Sequence, residues 1–124
     1  MKIAAIIVRT LLGLMFVVFG SNAFLHFMPM PELPDTPGGN FIRALVASGY
    51  IYAIAACQIA GGALLLVGRY VPLGLTLLGP VVVNIVLYHI FMDQSGMAMA
   101  IIVAVLWLFL VSRHRDAFAG LLRP

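Results

Sequence analysis

Residues 58–93 read QIAGGALLLVGRYVPLGLTLLGPVVVNIVLYHIFMD, and Arg69 is the only charged residue before the closing Asp93. Gly68, Arg69 and Tyr70 interrupt this apolar stretch, and Pro72 follows where a new helix would begin. Glycine commonly ends helices, and proline is accepted in their first turn. The stretch therefore predicts a hairpin of two helices, each close to the roughly 20 apolar residues that cross a bilayer.

The composition of the whole chain has the same character. Its 124 residues are 64% hydrophobic and 9% charged, and the mean hydropathy is +1.15. Soluble domains average roughly 45–50% apolar and about 25% charged residues, and a soluble fold of this size has too little interior to hide such a surface. We predict an all-α integral membrane four-helix bundle, with residues 1–124 forming a single membrane domain.

Breaks in the apolar pattern predict where the four helices lie. The predicted spans are roughly 3–27, 41–67, 71–92 and 97–112, joined by a Pro-rich loop at 28–40 and followed by a tail at 113–124. The first run is longer than the apolar core of a signal peptide, about 7–15 residues, so we expect it to remain in the mature protein. Asn40 is the expected N-cap of the second span.

The charges predict the orientation of the bundle. The ends of the spans on one side carry six basic residues and one acidic residue: Lys2, Arg9, Arg69, Arg113, Arg115, Arg123 and Asp116. The other side carries one basic and three acidic residues: Arg43, Glu32, Asp35 and Asp93. Because basic residues stay inside, both termini are predicted to be cytoplasmic. The basic residues stand singly at helix ends rather than in a stripe, so nucleic acid is not an expected partner.

Two segments of the chain resemble each other. RTLLGLMFVVFGSNAFLHFM (9–28) and RYVPLGLTLLGPVVVNIVLYHIFM (69–92) share a starting arginine, an early Leu-Gly-Leu, an asparagine and a later histidine. This pattern predicts two tandem helical hairpins related by an axis along the membrane normal.

Polar residues inside the apolar runs are the candidate ligand-binding residues. They are Asn22, His26, Gln58, Asn84, Tyr88 and His89. Polar side chains within a bilayer usually face the bundle interior, so Asn22, Gln58 and Asn84 are predicted to line a pocket that opens outward. Interhelical hydrogen bonds between the amides, worth about 0.6–2 kcal/mol, are the structural alternative, and interfacial placement is the alternative for the histidines.

Sulfur residues offer a weaker hypothesis. Met28 and Met30 are close to His26, and thioether and imidazole groups together can bind Cu(I), although methionine also fills gaps at helix ends. Cys57 is the only cysteine, which excludes disulfide, zinc-cysteine and CxxC chemistry within one chain.

Small residues dominate the second span. AIAACQIAGGALLLVG (53–68) places alanine and glycine on every face. Small residues permit close helix approach in membranes, so this span is predicted to pack against more than one neighbour.

Three segments resemble the DoxX family of small bacterial four-helix membrane proteins. They are LLGLMFVVFGSNAFLHFMPMP (11–31), the 58–93 stretch, and RHRDAFAGLL (113–122). The resemblance implies a four-helix bundle in the cytoplasmic membrane, and a link to quinone-coupled oxidation or to complexes for oxidative-stress defence. The family offers no agreed catalytic set to transfer to this chain, so the enzyme question stays open.

Three functional hypotheses follow. The first is a subunit that holds a small hydrophobic molecule such as a quinone. The second is a membrane adaptor or assembly factor without catalytic activity, and the third is a small transporter or copper-handling protein. Four short helices bury little surface, so a homo-oligomer or a larger membrane complex is expected in each case.

Overall fold

The computed structural model describes residues 2–28 and 32–122, and most of this part of the chain is helical. Within these ranges six α-helices follow one another, with a 3₁₀ turn (Gln94–Gly96) before α5 and a second (Ala119–Leu122) after α6. The helices are α1 (Lys2–Leu25), α2 (Pro37–Ser48), α3 (Tyr50–Val67), α4 (Val71–Phe91), α5 (Met97–Arg113) and α6 (Arg115–Phe118).

Four of these helical segments are long and apolar enough to cross a membrane within the described ranges. They are Lys2–Leu25, Tyr50–Val67, Val71–Phe91 and Gln94–Arg113. Many large apolar side chains on them are not covered by the chain, for example Leu11, Phe19 and Leu108. No polar or charged residue is fully buried in the part of the chain that the structure describes. A surface of this kind suits lipid rather than water, which supports a multi-pass membrane protein.

The four long helices form a closed ring around an aliphatic core. In order around the ring, α1 packs against α3, α3 against α4, α4 against α5, and α5 against α1. The core between them is filled by side chains that are at most 2% exposed, among them Leu12, Phe16, Leu65, Leu75 and Leu78.

Glycines bring three of these helices into backbone contact. A methyl group added at Gly62 of α3 would lie 2.8 Å from the Gly13 carbonyl oxygen of α1. A methyl group added at Gly61 would lie 3.0 Å from the Gly74 carbonyl oxygen of α4. The two consecutive glycines therefore lie in different helix–helix interfaces, or seams: Gly62 in the α1–α3 seam and Gly61 in the α3–α4 seam. This is possible because neighbouring residues on a helix point in different directions. The prediction that this segment packs against more than one neighbour is confirmed.

The predicted second span, 41–67, is two helices rather than one. Gly49 lies between α2 and α3 with a left-handed backbone, φ 81°, and its N–H donates to the Val46 carbonyl, which ends α2. Ser48 reinforces the break, since its Oγ accepts from the Tyr50 N–H at 3.2 Å. The N-cap prediction is also wrong: Thr36, not Asn40, caps α2, and its Oγ1 accepts from the Gly39 N–H.

The spans predicted at 71–92 and 97–112 correspond to α4 and α5. Pro80 lies inside α4, where it has no N–H to donate to the carbonyl one turn earlier. The side chain of Trp107 on α5 packs against α4 and donates its Nε1–H to the Leu75 carbonyl oxygen at 3.0 Å. Gly79 makes room for this ring, because a methyl group there would approach Trp107 at 3.2 Å.

Gly62→Val tests the glycine contacts. The added side chain would collide with the α1 backbone, which cannot move without opening the α1–α3 seam, so we expect a loss of about 1–3 kcal/mol in unfolding free energy. Ala60→Val is the matched control, since Ala60 is exposed on the same helix. Thermal unfolding in mild detergent, followed by circular dichroism, measures both. Equal stability of the two variants would contradict a backbone-contact role for Gly62.

Candidate functional site

Asn22 and His26 form the end of α1. The His26 N–H donates to the Asn22 carbonyl oxygen at 2.9 Å, and the Met28 N–H donates to Asn22 Oδ1 at 2.8 Å. His26 adopts a left-handed backbone, φ 52°, and is exposed. The helix therefore stops at Leu25, two residues before the predicted end. The Asn22 side chain accepts a hydrogen bond from the backbone of the segment that follows α1. The sequence did not predict this structural role.

Gln58 lies at the middle of α3 and faces the bundle. It falls three residues after Ala55 and four before Gly62, and residues at these spacings share a helix face. A methyl group added at Gly20 of α1 would lie 3.0 Å from the Ala55 carbonyl oxygen and 3.1 Å from Gln58 Cβ. Gln58 is partly buried, and its side chain makes no hydrogen bond within the described part of the chain. Gln58 therefore lies at the contact between α1 and α3, and its amide has no partner among the described residues.

Asn84 faces the opposite way. Together with Thr76 and Pro80 it forms an exposed stripe on α4, which we call the outer stripe. Each polar member bonds its own helix: Asn84 Nδ2 donates to the Pro80 carbonyl and Thr76 Oγ1 to the Pro72 carbonyl, both at 2.8 Å. Asn84 therefore points away from the bundle, whereas Gln58 lies between helices. The structure does not bring the three predicted amides, Asn22, Gln58 and Asn84, together.

Tyr88 and His89 belong to a group of side chains at the end of α4. The Tyr88 ring lies 5.2 Å from the His89 ring in an edge-on arrangement and 5.9 Å from the Phe41 ring of α2. His89 Nδ1 lies 2.8 Å from the Ile85 carbonyl oxygen. A carbonyl can only accept, so Nδ1 carries the proton in this bond. Nε2 lies on the other side of the ring, packed against Gly96.

Asp93 adds a carboxylate to this end of the bundle. Its Oδ1 accepts from the Ser95 hydroxyl at 2.5 Å and from the Ser95 backbone N–H at 3.1 Å. These hydrogen bonds, with a smaller contribution from nearby His89, lower the pKa of Asp93 below its ordinary value. Protonation of Asp93 would weaken both hydrogen bonds, because a neutral carboxyl is a poorer acceptor, so the turn before α5 favours the ionised carboxylate.

The metal hypothesis rests on residues that the structure describes only in part. Met28 is partly buried beside Asn22, whereas Met30 lies outside the described residues. No group of three or more His, Cys, Asp or Glu side chains positioned to hold a metal occurs within residues 2–28 and 32–122. Copper handling through Met28 and Met30 stays a prediction.

A second polar group was missed by the sequence reasoning. Lys2, Arg9, Arg113 and His114 line one cleft at the end of the bundle opposite Tyr88 and Asp93. The available signal was the excess of basic residues on that side, which we used only to orient the chain. That two of these residues come from α1 and two from the end of α5 required knowing that α1 and α5 are neighbours.

Comparison with known proteins adds no relative. No family model matches the chain, and neither a curated protein nor a solved structure matches it. The resemblance to the DoxX family therefore stays a prediction that rests on the three segments quoted above.

Ser95→Ala should raise the pKa of Asp93, because the variant loses the hydroxyl donor that most favours the ionised form. A carboxyl with a lowered folded-state pKa stabilises the fold above its unfolded-state pKa, and this contribution is lost as the pH falls through the folded value. The variant should therefore lose less stability on acidification than the wild type. NMR titration of the Asp93 carboxyl in micelles measures the shift. Ser48→Ala is the control, and an unchanged Asp93 pKa in Ser95→Ala would contradict the assignment.

Proposed function

We propose that this chain is a DoxX-like multi-pass protein of the bacterial cytoplasmic membrane. In this proposal it is a subunit that holds a small hydrophobic molecule with carbonyl oxygens, such as a quinone. The observation that carries the proposal is Gln58, a partly buried amide at the middle of α3 that faces the bundle without a hydrogen-bond partner among the described residues.

The chemistry of the amide argues for a carbonyl ligand. An amide kept from water without a hydrogen bond costs about 1–3 kcal/mol by mutational measures, and lipid chains offer it no partner. A quinone carbonyl accepts from the Gln58 Nε2–H. Gly20 brings α1 close to α3 beside Gln58, since a methyl group there would lie 3.0 Å from the Ala55 carbonyl oxygen. In this proposal the quinone therefore meets the amide at the edge of the α1–α3 interface.

The residues at the predicted outward end contribute to the mouth of this site rather than to its centre. Asn22 Oδ1 is occupied by the Met28 N–H, but its Nδ2 group still carries two donors. His26 is exposed where the chain leaves α1. Tyr88 and His89 lie at the end of α4. We assign binding to this set and no catalytic step to any member, so a partner subunit would supply the redox chemistry.

The proposed topology places both termini in the cytoplasm. The ends of α1 and α5 that carry Lys2, Arg9 and Arg113 lie on one side of the bundle, and the loop with Glu32 and Asp35 follows the other end of α1. Basic residues are retained on the cytoplasmic side. The site near Gln58 would then open toward the outer leaflet.

Gln58→Leu tests the quinone site. A short-chain ubiquinone analogue, added to the protein in mild detergent, should raise the stability of the wild type by about 2.7 kcal/mol at a hundredfold excess over the dissociation constant. The Gln58→Leu variant should lose most of this gain, because leucine preserves the volume and removes the donor. Thermal unfolding followed by circular dichroism measures the difference.

Asn84→Leu is the matched control for this experiment. It removes an amide of the same membrane protein from the outer stripe and should leave quinone stabilisation unchanged. If the quinone does not stabilise the wild type, or if Gln58→Leu retains the full gain, the quinone proposal fails.

The outer stripe favours a second candidate function, a membrane adaptor without catalytic activity. Thr76 and Asn84 are exposed at membrane depth, where polar groups normally face protein. Beside them an apolar groove of about 210 Å³ runs between α4 and α5, lined by residues that include Val83, Leu87 and Trp107. A transmembrane helix of a partner subunit would fill the groove and bond the two polar side chains.

Crosslinking in whole membranes tests the adaptor. A photoreactive residue at Leu87, which is exposed next to the groove, should capture a different membrane protein, and the double variant Thr76→Val/Asn84→Leu should reduce the yield. The same photoreactive residue at Leu14, exposed on α1, is the control. Capture of only a second copy would indicate a homo-oligomer, and no capture would contradict the adaptor function.

A further inference from the structure

A cleft of about 280 Å³ opens between α1 and the end of α5. Its polar lining consists of Lys2 and Arg9 from α1 and of Arg113 and His114 from the end of α5. Ala5, Ile6 and Leu110 form the rest of the wall. Four basic groups from two separate segments thus face one space, and no carboxylate lines it among the residues described.

Arg9 also contacts a third helix of the bundle. It lies seven residues after Lys2, about 10 Å further along the helix axis. Its guanidinium group reaches across to the end of α3, since a methyl group added at Gly68 would lie 2.7 Å from Arg9 Nη1. Arg9 Nε is buried and has no hydrogen-bond partner among residues 2–28 and 32–122. The side chain is therefore held in place by packing while part of its donor capacity remains unused.

The second side of the cleft carries the donors of Arg113, whereas a neutral His114 whose Nδ1–H is engaged offers only an acceptor, Nε2. His114 Nδ1 lies 3.0 Å from the Leu110 carbonyl oxygen, so this bond takes the Nδ1 proton and leaves Nε2 for another partner. Arg113 is exposed at the last turn of α5. Three permanently positive side chains with no facing carboxylate repel one another, and a bound anion would remove this repulsion.

The border of the cleft indicates that the anion belongs to a lipid. Ile6 lines the cleft and is also 48% exposed on the outer face of α1, next to the exposed side chains of Ile3 and Ile7. The charged space is therefore continuous with an apolar surface on a predicted membrane span. A free inorganic anion has no apolar part that could contact this surface, whereas an anionic lipid has a charged headgroup with apolar chains attached to it. Basic pockets between transmembrane helices bind lipid headgroups of this kind.

We propose that this cleft binds the phosphate headgroup of an anionic phospholipid. Arg9 and Arg113 contact the phosphate oxygens, Lys2 adds the third positive charge, His114 lies beside the headgroup, and an acyl chain lies along Ile3, Ile6 and Ile7. A headgroup with two phosphates matches three fixed positive charges better than a headgroup with one. The site is distinct from Gln58 and does not depend on the quinone proposal.

Lipid titration of the purified protein tests the proposal. The protein in mild neutral detergent is titrated separately with a two-phosphate cardiolipin, with phosphatidylglycerol, with phosphatidylcholine and with inorganic phosphate. The midpoint of thermal unfolding is recorded by circular dichroism. We expect the largest stabilisation from cardiolipin, a smaller one from phosphatidylglycerol, and none from phosphatidylcholine.

In the double variant Arg9→Gln/Arg113→Gln, the cardiolipin concentration needed for half of the maximal stabilisation should rise on the order of twentyfold, because two phosphate contacts near the membrane surface are lost. Arg69→Gln/Arg115→Gln is the matched control. It removes the same charge from two exposed positions outside the cleft lining and should bind cardiolipin like the wild type. Arg113→Gln alone, at an exposed helix end, keeps the test usable if the Arg9 substitution prevents folding, and should weaken the response about fivefold.

Each remaining outcome overturns the proposal. Equal stabilisation by cardiolipin and phosphatidylcholine would show that headgroup charge is not recognised. Equal losses in the cleft and control variants would indicate general attraction between charges. Stabilisation by inorganic phosphate that matches cardiolipin would identify a free-anion site instead of a lipid site.

Discussion

Close contact between helix backbones at two adjacent glycines is the constraint on which the rest of this structure depends. Lipid chains are as apolar as leucine, so helices in a bilayer associate through packing and hydrogen bonds rather than by escaping water. Gly62 meets the α1 backbone near Gly13, and Gly61 meets the α4 backbone near Gly74. These contacts make α3 the shared partner of both helices. The remaining space is filled by leucines such as Leu65.

Tight seams determine where polar groups can lie. The interior has no fully buried polar residue in the described part of the chain, and polar side chains appear instead at helix ends, on the outer stripe and at Gln58. Polar contacts with another molecule are therefore available, among the described residues, at the end of α1 near His26, at Gln58, in the basic cleft near Arg9 and on the surface of α4. A bundle of this kind is suited to holding and docking other molecules.

The sequence was sufficient for the apolar spans, because hydropathy and the glycine and proline breaks are local signals. It failed at Gly49, because a glycine in an apolar run fits a continuous helix until its left-handed backbone is seen. It also failed to orient Asn84. The few polar residues of α4 do not by themselves mark its inner face, so periodicity cannot select that face, and contacts such as that of Gly74 with α3 decide it. The hydrogen bond that Asn22 accepts at the end of α1 could not be predicted either, because it depends on the path of the chain after the helix.

Trp107 gives the contact between α4 and α5 a tryptophan fluorescence signal. It is the only tryptophan in the chain, and its indole N–H is engaged by a carbonyl of the facing helix. Indole emission depends on hydrogen bonding and on the polarity of its surroundings. The protein therefore carries one tryptophan fluorophore, placed where α5 meets the proline-containing helix, and its emission wavelength reports whether these two helices are together or apart.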